Sequence, residues 1–343
     1  MAWIDRDVRY GEKLATPDIS IADLIGEVDP IKVAEGRYLA DELTIHYGLI
    51  QRTNRGIFAI NELPDLAERI QVGLLNIMEE KDVQIRGYRV RLPLDLFVIA
   101  SANPEDYTSR GRIITPLKDR FGSQVRTHYP LTTGEEMQIM EAERHPLPED
   151  FELIFPTFMK EMVAEFTHLA RRSPHISQSS GVSVRMSIAN FENLACNAVR
   201  RAARLGEPLA VPRITDLAFL ASSTAGRVEI EALDEGKEEQ VLSRLERGAI
   251  SAVFSRHFSA AQFDGIVARF EEGAMLEAGE GIPARMYTRA IGDLPELVAA
   301  LKKLSLPDRP EVRASVIEFL LEGLHLNKRR NKDRTGSKVQ YRG

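Results

Sequence analysis

A single cysteine, Cys196, stands in 343 residues, so no disulfide can form within the chain and the composition fits a reducing compartment. Its sequence neighbours follow an apolar helical pattern, which predicts a packed thiol and not a reactive one. No apolar run approaches the roughly 18 residues that a membrane helix needs, and the N-terminus has no signal-peptide core. The cytoplasm is therefore the expected compartment, with no membrane partner. Seven histidines show no His-Glu-x-x-His or paired spacing, which argues against zinc. No Gly-x-Ser-x-Gly elbow occurs, and the cysteine has no adjacent histidine. A net charge of −6 argues against bulk nucleic-acid binding. Also missing is any G-x-x-x-x-G-K-[ST] motif. Gly236-Lys237 is followed by Glu238, and Gly11-Glu12-Lys13 opens no helix after an apolar strand. A phosphate-binding loop of that kind needs glycines so that backbone N–H groups close around the anion, and a lysine for its charge.

What is present begins with Gly56-Ile57-Phe58-Ala59-Ile60-Asn61-Glu62, an apolar strand running into a polar pair. A buried strand carries such residues past its end, where they meet ligands at the carboxyl edge of a sheet. A helix is expected over Asp65–Glu80, with Leu66, Ile70, Leu74 and Ile77 at helical spacing. Val83, Ile85, Tyr88, Val90 and Leu92 alternate around Arg86-Gly87, the pattern of a β-hairpin. A second apolar strand, Leu94 to Ala102, then ends on Asn103-Pro104, and Thr115-Pro116-Leu117-Lys118-Asp119-Arg120-Phe121 follows.

These pieces, in this order, resemble the Walker B, sensor 1 and arginine-finger segments of AAA+ ATPases. The likeness is to the ATPase subunit of magnesium chelatase and its MoxR-type relatives, and covers roughly residues 10–210. It implies an α/β fold: a partial AAA+ P-loop ATPase core, a parallel sheet with helices, followed by a helical lid and a mostly helical C-terminal extension. The segment from Gly26 to Ile50 resembles an insertion of that branch, and Arg52 to Gly56 resembles the polar turn before its Walker B strand. On this resemblance Glu62 polarises the attacking water, and Asn61 takes the place of the carboxylate that holds the water shell of Mg²⁺. An amide oxygen can still accept hydrogen bonds from metal-bound water but brings no negative charge. Asn103 matches sensor 1, Arg120 the finger that serves a neighbouring subunit's nucleotide, and Arg185 sensor 2; Arg55 is placed facing the nucleotide. The cofactors implied are ATP and Mg²⁺. The assembly implied is a homo-oligomeric ring, a hexamer, acting on a partner protein that often carries a von Willebrand factor A domain. In the family a phosphate-binding loop precedes the Walker B strand, so the chain reads as a fragment without its P-loop. The alternative is a non-hydrolysing AAA+-like scaffold or interaction protein. An enhancer-binding transcriptional activator ranks behind both, since neither its Gly-Ala-Phe-Thr-Gly-Ala loop nor a helix-turn-helix pattern occurs.

Residues 1–131 read as the α/β core, 132–211 as the lid, 212–327 as the helical extension and 328–343 as a basic disordered tail. Thr132 with Glu135 offers a capping box, and helices are expected over Phe151–Arg171, Lys237–Phe258 and Glu311–Leu326. A further helix opens near Arg185. Its apolar stripe is Phe191, Leu194, Ala195, Ala198, Val199 and Ala202, with Arg200, Arg201 and Arg204 placed outside it.

Overall fold

The structure, a computed structural model, describes residues 5–28, 31, 45–81, 93–103, 111–146, 152–177, 181–230, 237–291, 294–328, 331–335 and 338–342. The chain divides into two compact units, Met1–Thr127 and His128–Gly343. The strands are β1 (Tyr10–Leu14), β2 (Gly26–Val28), β3 (Ile45–Tyr47), β4 (Ile57–Asn61), β5 (Phe97–Ala100), β6 (Glu152–Leu153), β7 (Leu209–Ala210), β8 (Leu276–Gly279), β9 (Asn331–Thr335) and β10 (Lys338–Arg342). The principal helices are α1 (Glu68–Glu80), α2 (Thr115–Arg120), α3 (Thr133–Glu143), α4 (Thr157–Arg172), α5 (Val184–Leu205), α6 (Lys237–His257) and α7 (Pro310–Leu326). The architecture is the expected α/β class, a parallel sheet with helices followed by a mostly helical region. Among the described residues no helix is long and apolar enough to cross a membrane.

The first unit is built on a parallel sheet in the order β1-β4-β5. Tyr10 lies beside Ile57, which lies beside Phe97, and Glu12 beside Ala59, which lies beside Ile99. Side chains alternate between the faces of a strand. One face therefore carries Phe58 and Ile60, both buried with Leu66, Ile70, Leu74 and Ile77 of the following segment and with Leu117 of α2. The other face carries Tyr10, Leu14, Ile57, Phe97 and Ile99, all exposed, Phe97 at 66%. The helix expected over Asp65–Glu80 is divided: Leu63–Asp65 forms a short 3₁₀ turn and α1 begins at Glu68. Buried Gln71 fixes the start of α2 from across the core. Its amide donates to the Leu66 and Arg112 carbonyls, and its oxygen accepts from the Ile114 N–H at 2.9 Å. β2 and β3 form a separate antiparallel pair within the segment expected as an insertion. The hairpin expected over Val83–Leu92 lies outside the described residues.

The second unit has one large core in which α4, α5, α6 and α7 bury their apolar faces; Phe158 stacks on Phe319 at 4.4 Å between ring centroids. The capping box at α3 is present, with the Glu135 N–H donating to the Thr132 hydroxyl and the Glu135 carboxylate accepting from the Thr132 N–H. The helix expected from Phe151 starts at Thr157, after the short strand β6.

Three expectations are corrected here. Arg201 is buried, not outside the stripe: it follows Ala198 by three positions, so it falls on the packed face of α5, where Asp216 and Glu207 receive its guanidinium. Cys196 is exposed, because it shares the outer face of the same helix with Arg200. Within the segment expected to be a disordered basic tail, 331–335 and 338–342 form β9 and β10, which make an antiparallel sheet with β8 in the order β8-β10-β9. Few of its residues are apolar, yet Tyr341 is buried. Its hydroxyl donates to the buried Glu322 of α7, whose carboxylate also accepts Lys332 at 2.7 Å.

Candidate functional site

Gly56 admits the chain into β4. A side chain there would meet the Arg9 carbonyl oxygen at 2.3 Å and the Thr53 carbonyl at 2.8 Å, so only glycine fits. The turn before it, Asn54-Arg55, holds Arg55 in the left-handed region at φ 62°. The Arg55 N–H donates to the Asp95 carbonyl at 2.7 Å, tying this turn to the approach of β5. The Arg55 residue is exposed.

At the other end of β4 the backbone turns sharply. Glu62 also adopts the left-handed conformation, φ 57° and ψ 49°, which a residue with a Cβ enters only at a cost of roughly 1–3 kcal/mol. Ser101, just past β5, holds this turn. Its hydroxyl accepts the Glu62 N–H at 3.2 Å, and its carbonyl accepts the Leu63 N–H at 2.9 Å. The Ser101 N–H donates in turn to the Ile60 carbonyl, continuing the ladder between the two strands. Ser101 Oγ donates to Asn61 Oδ1 at 3.3 Å, and Asn61 Nδ2 donates to Glu12 Oε1 from β1. The second oxygen of Glu12 accepts the Tyr10 hydroxyl at 3.0 Å, and that bond, first among its causes, raises the Tyr10 pKa.

The carboxyl edge of the sheet thus gathers Asn61, Glu62 and Ser101, with Asn103 two residues further along the same strand exit, and the side chain of Glu12 reaches Asn61 from the middle of β1. Oxygen donors dominate this set. That chemistry fits a hydrated hard cation such as Mg²⁺, held through its water shell. Among the described residues no group of three or more His, Cys, Asp or Glu could enclose a metal directly. A cavity of about 500 Å³ opens beside the turn after Glu62, lined by Pro17, Asp65, Glu68, Gln71 and Arg112 among others.

Arg120 and Arg185, also singled out in the sequence, make contacts of their own. Arg120 ends α2 and is ion-paired with Glu79 in the last turn of α1, with Asp119 at 3.7 Å. Arg185 stands exposed in the first turn of α5, in the second unit, where its N–H donates to the N-cap hydroxyl of Ser183. Sequence reasoning missed Glu12 and Ser101. Ser101 carried a usable signal, since it extends the apolar strand toward Asn103. Glu12 carried none, because nothing local says that β1 lies beside β4.

Comparison with known proteins gives one family match: residues 35–119 fit the model of the Sigma-54 interaction domain, an AAA+ domain. This stretch is AAA+ ATPase-like, and its model bears the name of the activator class ranked last from sequence. A curated relative, YeaC of Bacillus subtilis (strain 168), described as uncharacterized, is 26% identical over 193 residues. That is 51% of this chain and 56% of YeaC, so the chain spans about half the length of the curated relative it matches. Among solved structures, NtrX from Brucella abortus in complex with ATP is 15% identical at TM-score 0.39, covering 76% of this chain and 55% of that one. A magnesium chelatase structure of the complex between subunits BchI and BchD is 19% identical at TM-score 0.31, covering 68% of this chain and 73% of that one. At these TM-scores neither superposition bears on what this chain does.

Proposed function

We propose that this chain is part of an AAA+ ATPase that binds ATP with Mg²⁺ and hydrolyses it to remodel a partner protein, in the manner of magnesium chelatase and MoxR-type ATPases. The observation that carries this reading is the meeting of Asn61, Glu62 and Ser101 at the carboxyl edge of a parallel sheet, inside the AAA+-like stretch. Glu62 would polarise the attacking water, Asn61 would hold metal-bound water, and Asn103 would align the γ-phosphate. Arg120 would reach a neighbouring subunit's nucleotide in a homo-oligomeric ring, a hexamer. Arg185 and Arg55 would contact the nucleotide within their own subunit. The domain division at 131 and 211, a cytoplasmic location and a von Willebrand factor A domain partner belong to the same reading.

The phosphate-binding loop would come from a segment outside these residues. The bare face of the sheet supports this, because parallel sheets are covered on both sides and this one leaves five apolar side chains in solvent. Lack of the motif supports the second reading, a non-hydrolysing scaffold of the same fold. The family match also favours a sigma-54-type activator, which binding to the sigma factor would reveal.

Calorimetry in Mg²⁺ buffer should show weak ATP binding by this chain alone; submicromolar affinity would mean that another segment cradles the phosphates. In a version joined to a phosphate-loop segment, Glu62→Gln should keep ATP bound but stop hydrolysis, and Arg120→Ala should cut hydrolysis by roughly 10³. Mixing the two variants should recover part of the activity by pairing an intact Glu62 with a neighbour's intact Arg120. Parent-rate hydrolysis by Glu62→Gln would remove the catalytic assignment and leave the scaffold.

A further inference from the structure

The polar chain from the exit of β5 through the end of β4 to the middle of β1 has a fixed direction. Glu12 is a carboxylate and can only accept, so the amide nitrogen of Asn61, not its oxygen, faces Glu12. The Asn61 oxygen therefore points to Ser101, whose hydroxyl has one proton. That proton goes to Asn61 Oδ1, because an amide oxygen can only accept, while the Ser101 oxygen accepts the Glu62 N–H. The order is Glu62 N–H to Ser101, Ser101 O–H to Asn61, and Asn61 N–H to Glu12.

One anionic group satisfies this chain and a second would break it. An aspartate at position 61 would bring two carboxylates into contact with no proton between them, and like charges at that range oppose ionisation of both. The amide at 61 and the acid at 12 are therefore one unit spread over two strands. Here the charge sits on β1, and β4 supplies the neutral donor.

We propose that Glu12 is the positioning acid of this site. It supplies the negative charge that position 61 lacks, orients the Asn61 amide and, through Ser101, holds the Glu62 turn in its left-handed conformation. Naming the site a nucleotide site rests on the function proposed above; the bonding does not. Were Mg²⁺ bound with ATP, Asn61 would hold its water through the amide oxygen and Glu12 would supply the nearby negative charge.

A double-mutant cycle on the present chain tests this without nucleotide: Glu12→Gln, Asn61→Asp, and the two together. Asn61→Asp alone should lower the thermal midpoint by about 2–4 °C. It should also speed hydrogen exchange at the Glu62 amide by about tenfold, the signature of a released turn. In the double variant the amide introduced at position 12 donates to the carboxylate introduced at position 61, so both quantities should return close to those of Glu12→Gln. That recovery cannot come from a residue with a purely steric role, because Asn and Asp, like Glu and Gln, have nearly the same shape. Additive effects in the cycle, or a Glu62 amide indifferent to Asn61→Asp, would overturn the proposal. If Asn61→Asp proves insoluble, solubility of the double variant supports it and continued insolubility overturns it. An unaltered hydrolysis rate in Glu62→Gln would sink the ATPase reading while leaving this cycle untouched.

Discussion

In the first unit the polar groups gather at an exposed strand end, whereas in the second they are sealed inside. Around the second unit's core, Arg201 and Arg213 are each about 1% exposed or less, yet both are ion-paired. Arg201 reaches Asp216 at 2.9 Å and the Val211 carbonyl at 2.6 Å, and Arg213 reaches Glu207 at 3.0 Å. Burial works against the Arg201 charge, but Asp216, with Glu318 and Glu207, outweighs it and raises its pKa. Glu318, fully enclosed on α7, is pushed upward by burial and accepts the Tyr287 hydroxyl and the Thr215 N–H. These groups cross-link α5, the loop around Arg213, the turn at Ala284 and α7, so they serve the fold. The cluster of the first unit joins three strands, includes a strained glutamate and stays open to solvent. Charge in a core holds elements together; charge at a sheet edge is available to a ligand.

The comparison breaks most severely at Asp216. Asp216→Ala leaves the buried Arg201 guanidinium short of its main partner and removes the acceptor of the Arg213 backbone N–H. About 3–5 kcal/mol should be lost from the second unit in denaturant titration. A null effect would mean that the network is ornamental to the fold.

The two faces of the first sheet sharpen the contrast. Phe58→Ala, on the packed face, should cost about 3–5 kcal/mol. Phe97→Ala, on the bare face, should stay within about 0.5 kcal/mol. Equal costs, measured by unfolding of the present chain, would show that the bare face is covered in solution.

The smallest effect is expected from His168. It is buried beside Glu136, its Nε2 3.6 Å from the carboxylate that Arg171 and Ser187 already occupy. Burial lowers its pKa, with Glu136 opposing and Arg171 adding to the shift. Glu165 also opposes the shift and Arg172 adds to it. As pH falls through about 6.5, the unfolded chain takes up a proton that the folded one refuses, so stability drops until the folded pKa is reached. His168→Gln should flatten this step of the stability profile without changing stability near pH 8. An unchanged profile would assign the step to another group.

Much of the architecture was legible because it is local. The spacing of Leu66, Ile70, Leu74 and Ile77 is set by the helical repeat, and the Thr132–Glu135 box by the geometry of one turn. The strand that ends at Asn61-Glu62 announced itself through its apolar run. The division of the next helix was less legible. Pro64 can occupy a first helical turn, so the sequence did not mark the break before Glu68 that Glu62's left-handed turn imposes.

By itself, the sequence determined the strands that end on Asn61-Glu62 and Asn103, the helices, and the absence of a glycine-rich phosphate loop, since each is written within a few consecutive residues. Only the tertiary structure decided that Arg201 is inside, that Tyr341 and Lys332 bring the basic tail onto Glu322, and that Glu12 stands beside Asn61. Each of these depends on a partner brought near by folding: Asp216 lies 15 residues from Arg201, and Glu12 lies 49 from Asn61. A side chain's charge is fixed by its own atoms, but what that charge does is fixed by what the fold places within about 3 Å of it.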